Sequence, residues 1–214
     1  MDILNNFIQI KNKVSSLSKN TKIVVVTKTF DINIIKPIID YGHKDFGENK
    51  VQEAKLKWGS FIFNNTNINL HFIGKLQTNK ARDAVRLFNY IHSLSSEELA
   101  KTLKKEEELC NKKLKYFIQI NLAGENQKNG IEASAAKEFI NFCINELFLD
   151  VVGLMCVPPL NEKPDSFFLQ LSKIAKDNNL LELSMGMSSD YPAAIKCGST
   201  YVRIGSQIFG DRNK

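Results

Sequence analysis

The sequence predicts an α/β protein: a single (β/α)8 TIM-type barrel with an extra N-terminal helix, built as one domain over residues 1–214. Three observations carry this expectation. Short apolar, β-branched runs recur eight times along the chain. A longer amphipathic segment follows each of the first seven runs. No linker, low-complexity tract or fixed-period repeat interrupts the succession. Eight strands close a barrel, and 214 residues is at the lean end of that fold. A doubly wound open sheet shares the alternation, and counting strands does not decide between them.

An amphipathic helix covers the first eighteen residues. The first strand is KIVVVTK (22–28), whose three consecutive valines read as buried on both faces. KDFGE (44–48) is the second and the weakest, short and polar; without it seven strands remain. LHFIG (70–74), YIHSL (90–94), KYFIQINL (115–122), DVVGLMC (150–156), LELSM (181–185) and TYVRIG (200–205) complete the set. Helical stretches fall at 31–41, 49–62, 77–87, 96–112, 132–147, 163–179 and 190–197. Ser95 and Ser96 ahead of Glu97 and Glu98, and Ser189 and Asp190 ahead of Tyr191, read as helix starts.

Composition excludes several classes. The 43% hydrophobic and 24% charged fractions are those of an ordinary globular protein. No apolar run approaches the roughly 20 residues of a membrane span, and the polar N-terminus does not read as a signal peptide. A cytoplasmic protein is expected. Cys110, Cys143, Cys156 and Cys197 lie far apart, without metal-binding spacing. The net charge of +6 comes from scattered lysines, and KTLKKEEELCNKK balances basic with acidic residues. No nucleic-acid motif accompanies that charge, so neither nucleic acid nor membrane is expected as a partner.

In such a barrel, chemistry gathers at the C-terminal ends of the strands. That rule selects Lys28 after the first strand, Asn49 after the second, Gly74, Lys75 and Gln77 after the third, Asn121 at the fifth, and the loops after the last two strands. In MGMSSDYPAA, Gly186 allows a tight turn and Ser188 leads into a helix start that can hold an anion. Asp190 is expected to cap that helix and point away. In VRIGSQIFG, Gly205 permits close backbone approach and Ser206 offers an N–H and a hydroxyl. Two ordinary Gly/Ser turns would look the same. Arg203 sits inside an apolar strand and must be paired there or face a ligand. Lys28 reads either as a solvated strand end or as an amine whose pKa is lowered by desolvation and neighbouring cations, able to attack a carbonyl. His43, His71 and His92 read as structural, Trp58 as packing a helix on the barrel, and Gln52 and Glu53 as helix-surface residues.

Five stretches together add a resemblance: VVVTKTF, FGENKVQEAKLK, HFIGKLQTNKAR, GLMCVPP and LSMGMSSDYPAAIKCGSTYVRIGSQIFG. In order and spacing they resemble the pyridoxal phosphate homeostasis family, which is similar to a free-standing alanine racemase N-terminal barrel. The likeness runs from about residue 1 to 212. It implies that Lys28 carries pyridoxal 5′-phosphate as an internal aldimine. Ser188, Gly205 and Ser206 match the positions that hold the cofactor phosphate, and Arg203 matches the arginine facing the pyridine nitrogen. Asn49 lies on the cofactor side. An arginine there leaves the ring nitrogen unprotonated, which weakens the cofactor as an electron sink. Lys75 stands where the family often has histidine, and Thr27 where it commonly has serine.

A two-base racemase needs a second acid/base opposite the lysine. In similar racemases a tyrosine from a C-terminal β domain supplies it. This sequence ends at Lys214, and Tyr41, Tyr90, Tyr116, Tyr191 and Tyr201 fall in no equivalent element. The expectation is therefore a non-catalytic, monomeric carrier that stores pyridoxal 5′-phosphate or delivers it to apo-enzymes. The alternatives are a low-activity racemase-like enzyme and a cofactor-free barrel acting on a phosphorylated sugar.

Overall fold

In the computed structural model, residues 2–63, 67–124, 129–159 and 161–210 are described. Helix α1 (Ile3–Leu17) starts where the Asp2 carboxylate accepts the Asn5 N–H at 2.9 Å. It turns Phe7, Ile10 and Val14 inward, the three- and four-residue steps of one helix face. Burial of each contributes about 2 kcal/mol, which holds α1 against α2 (Ile32–Asp40) and the short terminal α9 (Ser206–Phe209).

The barrel strands are β1 (Lys22–Val26), β2 (Asp45–Glu48), β3 (Asn69–Phe72), β4 (Tyr90–Leu94), β5 (Lys115–Asn121), β7 (Asp150–Met155), β8 (Glu182–Met187) and β9 (Tyr201–Ile204). A two-residue strand, β6 (Ile131–Glu132), adds to β5 outside the ring. All pairings are parallel. The order β4-β3-β2-β1-β9-β8-β7-β5 closes through β4–β5, so the sheet is a barrel and not an open doubly wound sheet. Helices α3 (Val51–Phe63), α4 (Ala81–Leu87), α5 (Glu97–Cys110), α6 (Ala136–Asn141), α7 (Asp165–Asp177) and α8 (Tyr191–Lys196) fill the expected crossovers. Ser96 caps α5, its hydroxyl accepting from Leu99 N–H. The stretch expected as one helix over 132–147 is mixed: α6 continues into a wider π turn at Phe142–Glu146.

The weak second strand is present because its polar residues are partnered on both faces. Phe46 is buried, Asp45 meets His71 and Asn69 inside the barrel, and Glu48 meets Trp58 on the helix side. Main packing lies between sheet and helices, while Val24, Phe117, Met155 and Tyr201 form a separate small cluster with Tyr90 and Val152 against it.

Candidate functional site

The C-terminal ends of β1, β2, β3, β8 and β9 enclose a cleft of about 420 Å³. Lys28, Asn49, Ser188, Arg203, Gly205 and Ser206 all line it. The structure thus brings together the six residues that the resemblance assigns to the cofactor; of the other strand-end residues, Gly74 joins them, while Lys75 and Gln77 line a neighbouring cavity. Val26, Ile73, Val157 and Met187 supply its apolar surface. Lys75 is exposed and lines a smaller neighbouring cavity with Lys50 and Lys80, so it is not a second amine of this cleft.

Strand β1 ends at Val26, two residues earlier than expected, and Lys28 falls on the turn beyond it. That turn is clamped from α3. Lys57 Nζ donates to Thr27 O at 2.7 Å, and the Glu53 carboxylate accepts the Thr29 N–H. Thr29 has φ of 71°, a left-handed conformation costly for a β-branched residue, which the clamp holds in place. Glu53 is therefore a brace of the Lys28 turn and not a free surface residue. The Glu53–Lys57 spacing of four along α3 was the available signal.

Beneath the turn, Glu48 is fully buried. Its Oε1 accepts from Thr27 Oγ1 at 2.6 Å, Lys57 Nζ at 2.8 Å and Trp58 Nε1 at 2.9 Å. Trp58 thus packs α3 on the barrel, as expected, and adds a hydrogen bond.

On the other side, Gly186 has φ of +92°, and a Cβ there would lie 2.6 Å from Ala194 Cβ. Only glycine lets β8 turn so closely over α8. The turn presents Ser188, whose hydroxyl oxygen accepts the Gly205 N–H at 3.4 Å, while Gln207 Nε2 donates to Ser188 O at 2.6 Å. The loops after β8 and β9 are thereby tied together. Asp190 makes no helix cap; its carboxylate accepts the Met187 N–H at 2.6 Å, and its charge acts on Arg203. Gly74 backs Asn49: a Cβ on Gly74 would stand 2.2 Å from Asn49 O.

Arg203 is 5% exposed. Its Nη1 donates to Ser184 Oγ at 2.7 Å and its Nη2 to Cys156 O at 3.0 Å. Among the described residues no carboxylate lies within ion-pair distance of it. Burial pushes the Cys156 thiol up to about 12 against the pull of Arg203, so no thiolate neutralises the guanidinium. Burial also lowers the Arg203 pKa, yet a guanidinium stays charged. Two features thus invite a ligand: a buried cation with only neutral partners, and the buried Asn49 Oδ1, which has no hydrogen-bond partner.

The sequence reads the histidines as structural. His43 is so placed, packed against Phe7 and Phe46. His71 and His92 are buried, hydrogen-bonded core residues, as expected, and they also belong to a polar chain that reaches Arg203 through Ser184. No local spacing signals that link, because its members come from different strands.

Comparison with known proteins agrees with the architecture. A family model of the alanine racemase N-terminal domain matches residues 2–213. The pyridoxal phosphate homeostasis protein of Haemophilus influenzae is 35% identical over 230 residues, covering 100% of this chain and 97% of the relative. That of Synechocystis sp. is 38% identical over 210 residues, covering 93% and 95%. PipY of Synechococcus elongatus, solved with PLP bound, superposes with a TM-score of 0.87 at 29% identity, covering 98% of this chain and 100% of PipY. An alanine racemase of Clostridium difficile shares the fold, with a TM-score of 0.72 at 14% identity, covering 98% of this chain and 58% of the racemase. The chain therefore belongs to the alanine racemase N-terminal domain family and, within it, to the pyridoxal phosphate homeostasis proteins.

Proposed function

We propose that this protein binds pyridoxal 5′-phosphate in the cleft and holds it for intracellular cofactor homeostasis without efficient turnover. The observation that carries the reading is Arg203, a buried cation lacking an anionic partner among the described residues, in the same cleft as the Lys28 amine. Pyridoxal 5′-phosphate supplies an electrophilic aldehyde, a ring nitrogen with a lone pair and a phosphate dianion. The residues present fit those groups. Lys28 offers the amine for the aldehyde. Arg203 has donors to spare for the ring nitrogen and, having no proton acceptor, keeps it unprotonated. Ser188, Gly205 and Ser206 offer hydroxyls and N–H groups to the phosphate. Gly205 leaves the cradle open, since a Cβ there would press on Val26 at 3.2 Å. Asn49, whose side-chain oxygen is buried without a hydrogen-bond partner, lines the cleft as well.

The carrier reading draws support from the lining itself. Among the described residues around the cleft, Lys28 and Arg203 are the only ionisable side chains. Proton exchange on both faces of a substrate needs a second acid/base of suitable pKa, and arginine is too basic for it. The relatives' names also describe homeostasis and not catalysis. The same reading takes residues 1–214 as a single, monomeric, cytoplasmic domain whose recipients are apo-enzymes that use the cofactor. Among the described residues no helix is long and apolar enough to cross a membrane.

Borohydride reduction followed by peptide mass spectrometry tests the anchor. The pyridoxyl adduct should fall on the peptide containing Lys28 and vanish in Lys28→Ala. Label on Lys75 with Lys28 unmodified would overturn the assignment. Robust alanine racemisation by the loaded protein would overturn the carrier reading.

A further inference from the structure

Asp45, His71, His92, Ser184 and Arg203 are contributed by β2, β3, β4, β8 and β9. They meet inside the barrel, where apolar side chains would pack as well. Arg203 Nη1 lies 2.7 Å from Ser184 Oγ, which lies 2.7 Å from His92 Nδ1. His92 Nε2 lies 2.9 Å from His71 Nδ1, and His71 Nε2 lies 3.0 Å from Asp45 Oδ1. His71, His92 and Ser184 are fully buried.

Donor and acceptor chemistry assigns a direction to every bond. Arginine has donors only, so Ser184 Oγ accepts from Arg203. Ionised Asp45 accepts only, so the His71 proton sits on Nε2 and leaves Nδ1 as an acceptor. His92 then donates from Nε2 to His71, and its own Nδ1 accepts the Ser184 hydroxyl. Every site is satisfied with both imidazoles neutral. Protonating His71 would reverse the bonds as far as Ser184 and bury a second cation beside Arg203. Burial, with the charge of Arg203, pushes His92 well below its ordinary pKa, and a proton on His71 would push it further. Burial also lowers His71 against the pull of Asp45. Both rings are held by stacking, His71 on Tyr90 and His92 on Phe117, each at 4.3 Å.

We propose that Ser184, His92 and His71 are positioning residues for the cleft: their one-directional hydrogen-bond chain runs from Arg203 to Asp45 and fixes the guanidinium so that its remaining donors face the cofactor ring. The proposal rests on the reading that the cleft takes pyridoxal 5′-phosphate. Among the described residues no carboxylate touches Arg203, and the charge of Asp190 acts on it only from a distance. A carboxylate in contact would take the donors that the ring needs. Aligned bonds polarise one another, which spreads part of the charge along the chain.

Two measurements test this. In the apo protein at pH 7, nitrogen NMR of the imidazoles should show His71 and His92 neutral, each with its proton on Nε2. A charged ring, or a proton on Nδ1 of either, overturns the chain's direction, and no cofactor is needed to see it. Titration with pyridoxal 5′-phosphate, alongside thermal unfolding, tests the positioning role. Ser184→Ala and His92→Leu should each weaken binding roughly tenfold and shift the visible band of the bound cofactor. Ser184→Thr keeps the hydroxyl and His92→Gln keeps an acceptor and a donor, so both should stay near the wild type. Wild-type affinity and spectrum in folded Ser184→Ala and His92→Leu would overturn the role. A wild type that takes up no cofactor would overturn the reading of the cleft and this role with it, while the imidazole spectra still decide the chain.

Discussion

Two buried charge clusters stand on opposite faces of the same strand, β2. Outside the barrel, Glu48 and Lys57 are in direct contact at 2.8 Å, with side chains 0% and 7% exposed. Inside it, Asp45 and Arg203 are held apart by two imidazoles and a hydroxyl. The first arrangement concentrates its donors on one oxygen: Thr27, Lys57 and Trp58 all bond Glu48 Oε1. It joins α3 to the turn that carries Lys28. The second leaves a cation at the cleft with donors to spare. Proximity of opposite charges thus marks the structural cluster, and their separation marks the one suited to a ligand.

The sharpest way to break this comparison is Glu48→Ala. It strips the acceptor from Trp58, leaves Thr27 Oγ1 only the long bond to Gly47 O, and leaves Lys57 with Glu53 and Thr27 O, so unfolding free energy should drop by about 3 kcal/mol in denaturant titration. A loss well under 1 kcal/mol would mean the outer cluster is not a stability element.

Acid should separate the clusters next. His43, His71 and His92 all have folded pKa values lowered, first by burial. The unfolded chain titrates these groups near 6.5, so below that pH it binds protons that the folded protein refuses. Stability present above about 6.5 is therefore lost as pH falls toward the folded values. The slope is about 1.4 kcal/mol per pH unit for each histidine still neutral when folded. Burial alone would raise Asp45, but the bonds from His71 and Asn69 outweigh it and hold its pKa low, so its own contribution is lost only in stronger acid. Denaturant unfolding at pH 7 and pH 5.5 measures the slope, and His92→Gln should lower it by one proton. A flat profile would show the rings protonated inside the fold.

Arg203→Met should have the smallest effect on stability, within about 1 kcal/mol, because it removes a buried charge that has no direct ion pair and substitutes an apolar side chain. Cofactor binding should nevertheless collapse. A loss of stability matching that of Glu48→Ala would erase the distinction between the two clusters.

Much of this was legible in the sequence, for physical reasons. The valines of β1 and the alternation in the later strands report burial locally, so the barrel could be counted. The strand-end rule singles out Lys28, Asn49 and the loops that carry Ser188, Gly205 and Ser206, Arg203 stands out as a cation inside an apolar strand, and the resemblance assigns their roles; all six line the cleft. Strand β2 looked marginal because its stability lies in partners 10 to 26 residues away, namely Trp58, Asn69 and His71. The π turn at Phe142–Glu146 and the added strand β6 leave no periodic trace. Glu53, read as a surface residue, braces the Lys28 turn. The chain from Arg203 to Asp45 was beyond reach of local reasoning, since it unites five strands and appears only once they are wrapped into a ring.

The contact at Gly74 has a consequence for what the cleft will admit. There the loop after β3 meets the main chain of Asn49 so closely that even a methyl group would collide. A wall of backbone against backbone has no rotamers to change, so it cannot yield to a larger guest as a wall of side chains can. Extra bulk on that side of a ligand would be refused by shape alone, whatever its charge.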